Sequence, residues 1–178
     1  MREIGVVPLC GKDLMLRREF VMPLVRIVND SGFKAKIVEP NDFSRAEIPC
    51  ILSGTTLKDF AYLENKKLVE DVRNFKHPLF GICAGAHLIA IAVGGRLTDS
   101  IEIGMLPIEM HEPNELFKSI KEGYALHTKG IEVSSNCKAL LSNANGTQMF
   151  KNKNHLGILF HPEVRHFKII TNWIQTLQ

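Results

Sequence analysis

Two short stretches hold residue types that could do chemistry together. In "FGICAGA", Cys83 stands between Gly81 and Gly85, where the short apolar run Pro78–Ile82 meets the alanine- and aliphatic-rich run 84–93. A nucleophile forced into a sharp strand-to-helix turn needs small neighbours two positions to either side, an arrangement known for serine and met here with sulfur. The N-terminus of the helix that follows would favour thiolate over thiol, and its free N–H groups could receive a developing oxyanion. In "GILFHPEV", His161 and Glu163 flank Pro162 at the end of another apolar run. If the strand continues extended through them, residues i and i+2 project to one side, and Glu163 can orient His161 as the base that a thiol nucleophile requires. Alone, the first stretch reads equally well as a small core cysteine and the second as a surface His and Glu on a loop. Both in one chain, each at a strand end, point to catalysis.

The elements that must position them alternate through the first half. The sequence predicts strands at Glu3–Pro8, Lys34–Glu39, Pro49–Leu52 and Pro78–Ile82, with helical stripes at Phe20, Val21, Leu24, Val25 and Val28, at Leu63, Leu68, Val69, Val72 and Phe75, and after Cys83. Strand and helix repeated in this way imply right-handed parallel crossovers and an open, mostly parallel α/β sheet with helices on both faces. In such a sheet ligands bind at the carboxyl ends of the strands, where Cys83 would lie. Shorter strands at Ile108–Met110, Ile131–Ser134, Gln148–Phe150 and Leu156–Phe160, joined by turns such as "SNANG", predict a small antiparallel extension, and a helix from Phe167 to Leu177 closes the chain. One domain over residues 1–178 is expected.

Composition narrows the function classes. A formal charge of +3 with scattered Lys/Arg pairs argues against nucleic acid as a partner. The N-terminal "MREIGVVPLC" lacks the pattern of a signal peptide and no apolar run reaches membrane-spanning length, so a cytoplasmic protein without a membrane partner is expected. Cys10, Cys50, Cys83 and Cys137 form no C-x-x-C pair, and each is expected to be a free thiol. His111 and His155 read as solvated loop residues without metal-ligand spacing, so neither a metal nor another cofactor is expected. Cys50, Phe167 and Trp173 read as core.

Taken together, the G-x-C-x-G elbow and the late H-P-E resemble those of the class I, triad-type glutamine amidotransferases. "ILSGTT", "IGMLPIEM" and "FHPEVRHFKIITNWIQ" extend the likeness over nearly the whole chain, and among subfamilies it is greatest to the glutaminase subunit or domain of GMP synthetase. The resemblance implies a flavodoxin-like fold of the class I amidotransferase type and glutamine as substrate. Cys83 would attack the carboxamide, His161 would carry the proton to the departing ammonia, and Glu163 would orient His161. The N–H groups of Ala84 and of Gly54 or Thr55 would hold the oxyanion. His127, in the "LHT" step, would lie close to bound glutamine, and the ammonia would pass to an ATP-dependent synthetase subunit.

Three features depart from the family pattern. Thr55-Thr56 follows Ser53-Gly54 where the family has Gly-Gly-Pro; His87 replaces the Gln four residues after the cysteine; Lys129 replaces an acidic residue two after the loop His. His87 could be a core histidine satisfied by a carbonyl, a polar contact to substrate, or a second base. The contact is the expected role, because His161 already has its carboxylate. A stand-alone γ-glutamyl cysteine hydrolase and a non-catalytic regulator of the same fold are the alternatives to an amidotransferase subunit.

Overall fold

The computed structural model describes residues 2–118 and 120–177. In chain order these run β1 (Glu3–Val7), α1 (Leu14–Phe20), α2 (Met22–Asp30), β2 (Lys34–Ile37), β3 (Cys50–Leu52), α3 (Ala61–Glu64), α4 (Lys66–Asn74), β4 (Leu79–Ile82), α5 (Ala84–Ala92), β5 (Arg96–Pro107), β6 (Glu109–Met110), β7 (Glu122–Glu132), β8 (Lys138–Asn143), β9 (Gly146–Asn152), β10 (His155–Ile158), α6 (Pro162–Arg165) and α7 (Lys168–Gln175). Eight strands form one sheet in the order β2-β1-β3-β4-β10-β9-β8-β6. The first five are parallel, and β9, β8 and β6 continue it antiparallel. The α/β expectation holds, including the antiparallel extension.

Two apolar layers sandwich the sheet. Leu24 and Val28 of α2 and Ile170 and Trp173 of α7 pack with Ile4, Val6, Phe80 and Ile82 on one face. Leu68 and Val72 of α4 and Leu88 of α5 pack with Val7, Leu52 and Leu79 on the other. All four residues of β4 are buried, as a central parallel strand covered on both faces requires. Both long helical stripes are interrupted. Pro23, in the first turn of α2, cannot donate a backbone hydrogen bond and marks a fresh start after α1. Asn65 caps α4 by accepting from the Leu68 N–H at 3.0 Å, which separates α4 from α3.

The second half corrects the sequence reading. β5 and β7, of 12 and 11 residues, pair antiparallel as a sheet of their own. No strand is predicted at β5, and only the end of β7 is. Leu126–Thr128, expected as a loop, is the middle of β7. His155 is buried within β10, because the parallel pairing of β10 with β4 carries it into the sheet; His111 is exposed and bonds Ser142 Oγ at 2.8 Å. Phe167 is exposed at the start of α7 rather than packed, whereas Trp173 and Cys50 are core.

Candidate active site

Cys83 follows β4 directly and opens α5, with φ 48° and ψ −101°. A non-glycine residue at positive φ costs on the order of 1–3 kcal/mol and persists only where its surroundings impose it. Here the glycines let them do so. A Cβ on Gly81 would come within 2.5 Å of the Gly85 backbone, and a Cβ on Gly85 would collide with the Leu52 carbonyl at the end of β3. The Cys83 N–H donates to the Ile158 carbonyl of β10 at 2.8 Å, and its carbonyl accepts from the His87 N–H at 2.9 Å. The turn is therefore held from the strand and helix sides at once, as the glycine spacing predicts.

His161 stands just beyond β10. The expected extended run through His161 and Glu163 does not form: His161 caps α6, and Pro162–Arg165 is a single helical turn. The turn still folds the carboxylate back, and His161 Nδ1 lies 2.7 Å from Glu163 Oε1 with both side chains buried. With Nδ1–H donated to Glu163, Nε2 is left open; among the described residues it has no hydrogen-bond partner. Burial alone would lower the pKa of this imidazole, but the facing Cys83 sulfur and the Glu163 carboxylate outweigh it and hold the value well above 6.5. The His161 N–H bonds the Tyr124 carbonyl of β7 at 2.7 Å, which fixes the backbone below the ring.

The segment after β3 completes this side. Ser53 Oγ accepts from the Leu9 N–H at 3.0 Å and donates to the Gly54 carbonyl at 2.9 Å. A side chain at Gly54 would press to 2.8 Å from His161 Cε1, so the backbone there reaches the imidazole only because Cβ is missing. Among the described residues the N–H groups of Gly54, Thr55 and Ala84 donate to no protein acceptor. They are open donors near the thiol, the requirement for stabilising an oxyanion.

β7 forms the opposite wall. The Leu126 carbonyl lies 3.7 Å from Cys83 Sγ. His127 is buried beside the Glu102 carboxylate of β5, Nε2 to Oε2 3.0 Å, at an angle short of a good hydrogen bond. Burial lowers the pKa of His127, and Glu102 opposes the shift. Glu102 accepts from Asn143 Nδ2 at 2.6 Å, Asn145 Nδ2 at 2.9 Å and Gln148 Nε2 at 2.8 Å. No sequence argument finds this carboxylate. The only available signal is the polarity of "SIEIGM", in which the apolar Ile101, Ile103 and Met105 point outward and the one buried position of β5 is an acid.

Residues 18–175 match the class-I glutamine amidotransferase family. The chain belongs to that family. It is 31% identical over 160 residues to a glutamine-hydrolyzing GMP synthase subunit of Methanococcus maripaludis, covering 83% of this chain and 84% of that one. It is 34% identical over 159 residues to the corresponding GMP synthase subunit of Methanococcus vannielii, with the same coverage. Among solved structures, a glutamine amidotransferase from Thermotoga maritima superposes with a TM-score of 0.71 at 15% identity, over 98% of this chain and 81% of that one. The amidotransferase fold thus persists where little of the sequence does.

Against the family pattern, the three departures acquire a geometry. Thr55 is buried and donates its hydroxyl to Asp59 Oδ2 at 2.7 Å, which anchors the segment that lacks the second glycine. Lys129 turns its ammonium outward to Asp99 and offers the site only its carbonyl. That carbonyl accepts from His87 Nε2 at 3.0 Å, which leaves His87 Nδ1 to accept from Tyr62 Oη at 2.7 Å. Burial pushes the His87 pKa down to about 4. His87 lines the cleft, but both ring nitrogens are engaged within the protein, one of them by a strand carbonyl, as the carbonyl-satisfied reading requires and the substrate-contact reading does not. The cleft lined by Thr55, Asp59, Cys83, His87, Leu126 and His127 encloses only about 10 Å³, room for about one water. Glutamine requires it to open. A groove of about 960 Å³ lies elsewhere, between Glu115–Lys118, Ile120 and α7, with no cysteine among its described lining residues. Among the described residues there is no cluster with metal-ligand composition, and no helix is long and apolar enough to cross a membrane.

Proposed function

We propose that this chain is the cytoplasmic glutaminase subunit of a GMP synthase, hydrolysing glutamine through Cys83, His161 and Glu163 and delivering ammonia to an ATP-dependent synthetase subunit. The 2.7 Å pairing of His161 Nδ1 with Glu163, which leaves Nε2 without a protein partner on an imidazole that Cys83 is near enough to perturb, carries the mechanism. The likeness to glutamine-hydrolyzing GMP synthase subunits over most of both chains carries the partner.

The Cys83 thiol passes its proton to His161 Nε2 as sulfur attacks the carboxamide carbon. The negative charge gathers on the amide oxygen, which the N–H groups of Ala84 and of Gly54 or Thr55 receive. His161 returns the proton to the nitrogen, the C–N bond breaks, and ammonia leaves a γ-glutamyl thioester. Water, deprotonated by His161, attacks the thioester, the C–S bond breaks, glutamate is released, and His161 returns the proton to sulfur to restore the thiol. Glu163 keeps Nδ1 protonated, so that Nε2 can play base and acid in turn. The closed cleft supports a further feature, slow hydrolysis by the chain alone and activation by its partner.

Ammonia and glutamate release tests the reading. Stoichiometric products from glutamine, formed at least about tenfold faster when the cognate synthetase and its nucleotide substrates are present, are expected. Equal turnover of the chain alone and in complex would remove the dependence on a partner. No turnover under either condition would leave a regulator of the same fold.

A further inference from the structure

The strand β5 is inside-out: Ile101, Ile103 and Met105 are exposed, while Glu102 between them is 3% exposed. A buried carboxylate survives only with compensation, and here it has three amide donors and an imidazole. Those donors come from separate places. Asn143 and Asn145 lie at the β8–β9 turn, Gln148 is on β9, and His127 sits directly opposite Glu102 across the β5–β7 ladder. The ladder slips between Asp99 and Glu102, and that irregularity turns the carboxylate inward. Glu102 is thus the joint at which the separate β5–β7 sheet is bonded to the main sheet.

What the joint holds is the cleft wall. Next to His127, the Leu126 carbonyl meets Cys83 Sγ, and Thr128 Oγ1 donates to the Leu57 carbonyl at 3.3 Å. His87 grips the Lys129 carbonyl from the elbow helix. Each residue of 126–129 therefore meets a different part of the site, and at 127 the contact is the 3.0 Å approach of His127 Nε2 to the Glu102 carboxylate.

We infer that Glu102 is a positioning residue of the amidase site: through His127 it fixes Leu126–Thr128 of β7 beside Cys83 and so sets how tightly substrate is held. The inference rests on the amidase reading above. Glu102 touches neither the nucleophile nor its base, so its loss should act on binding far more than on chemistry.

Glu102→Gln would turn one amide donor against the amide donors of Asn143, Asn145 and Gln148. In the complex with the synthetase it should raise KM for glutamine roughly tenfold while kcat stays within about threefold. A γ-diazoketone analogue of glutamine, which labels Cys83 without turnover, should need about tenfold higher concentration to half-saturate. Iodoacetamide, which needs the thiol but no substrate wall, should alkylate Cys83 at a rate within about twofold of wild type. Because Glu102 acts through His127, Glu102→Gln/His127→Gln should be no worse than His127→Gln alone. Should Glu102→Gln fail to fold, Asn145→Ala removes one donor from an exposed turn and should raise KM about threefold with kcat held. Unchanged KM, additive losses in the double variant, or a fall in iodoacetamide reactivity matching the fall in kcat/KM would each overturn the assignment. A wild-type chain that neither hydrolyses glutamine in the complex nor takes the diazoketone would instead sink the amidase reading, and this inference with it.

Discussion

On one side of Cys83, β3, β4 and α5 pack backbone against backbone, with Gly81 and Gly85 leaving no room for a Cβ and the cysteine held at positive φ. On the other side, β5 and β7 approach through side chains: a buried acid, two histidines and three amides set the spacing, and single backbone carbonyls at Leu126 and Lys129 reach across. A wall of backbone contacts fails abruptly when one atom is added, because neither partner can rotate away. A wall of side-chain hydrogen bonds yields by degrees as partners are removed. In the mechanism proposed above the nucleophile would sit on the rigid wall and the substrate would be held by the adjustable one, so chemistry and binding should respond to different substitutions.

The largest effect tests the rigid wall where it carries the thiol. Cys83→Ala and His161→Ala should each lower glutamine turnover by about 10⁴ or more, and the double variant should be no slower than either. The measurement is ammonia release in the complex, where residual background is lowest relative to signal. Multiplying losses in the double variant would mean that the two side chains act independently, which the open Nε2 facing the sulfur argues against.

The rigid wall is also the part that could be read without coordinates. Gly81, Cys83 and Gly85 state their own geometry, since only a crowded turn needs glycine at both places, and apolar runs such as "PLFGI" can only be buried strands in an alternating chain. The adjustable wall leaves no such trace. Glu102 and Gln148 are buried by long-range pairing, and polar residues in "RLTDSIEIGMLP" hide a strand whose outward face is the apolar one. His161 and Glu163 were legible as a pair by spacing, yet they meet through a helical turn rather than an extended strand. The choice among the three readings of His87 was out of reach for the same reason as Glu102: its partners, Tyr62 and Lys129, are 25 and 42 residues away.

A smaller effect compares the walls directly. Gly85→Ala drives a methyl into the Leu52 backbone and should cost about 3 kcal/mol, which for a chain of this size lowers Tm by roughly 10 °C. Asn145→Ala on the other wall removes one of the amides bonded to Glu102 and should cost about 1 kcal/mol. Urea unfolding of the two variants side by side gives the ratio. Equal costs would mean that the elbow can relax, and that the positive φ at Cys83 is not imposed by the packing around it.

The smallest effect at neutral pH lies at the tie between the walls. His87 spans from α5 to the Lys129 carbonyl and is neutral when folded, with its pKa pushed by burial down to about 4. The unfolded chain binds a proton at this residue below about pH 6.5 that the folded chain refuses until about pH 4, so stability falls as the pH falls through that window. By pH 5 the loss from His87 amounts to about 2 kcal/mol. His127 and His155, also lowered by burial, add to it with the same sign. His161, raised well above 6.5, has the opposite sense: its contribution is fully present below the unfolded value and is lost as the pH rises through the folded one. His87→Gln keeps one donor for Lys129 and one acceptor for Tyr62 while removing the titration. It should therefore cost under about 1 kcal/mol at pH 7.5 and lose about 2 kcal/mol less than wild type between pH 7.5 and pH 5, as measured by urea unfolding at the two values. Because neither ring nitrogen is free for substrate, turnover should persist with KM within about twofold of wild type. Parallel stability curves for the two proteins would show that His87 takes up its proton in the folded state, and a several-fold change in KM would return it to the substrate-contact role.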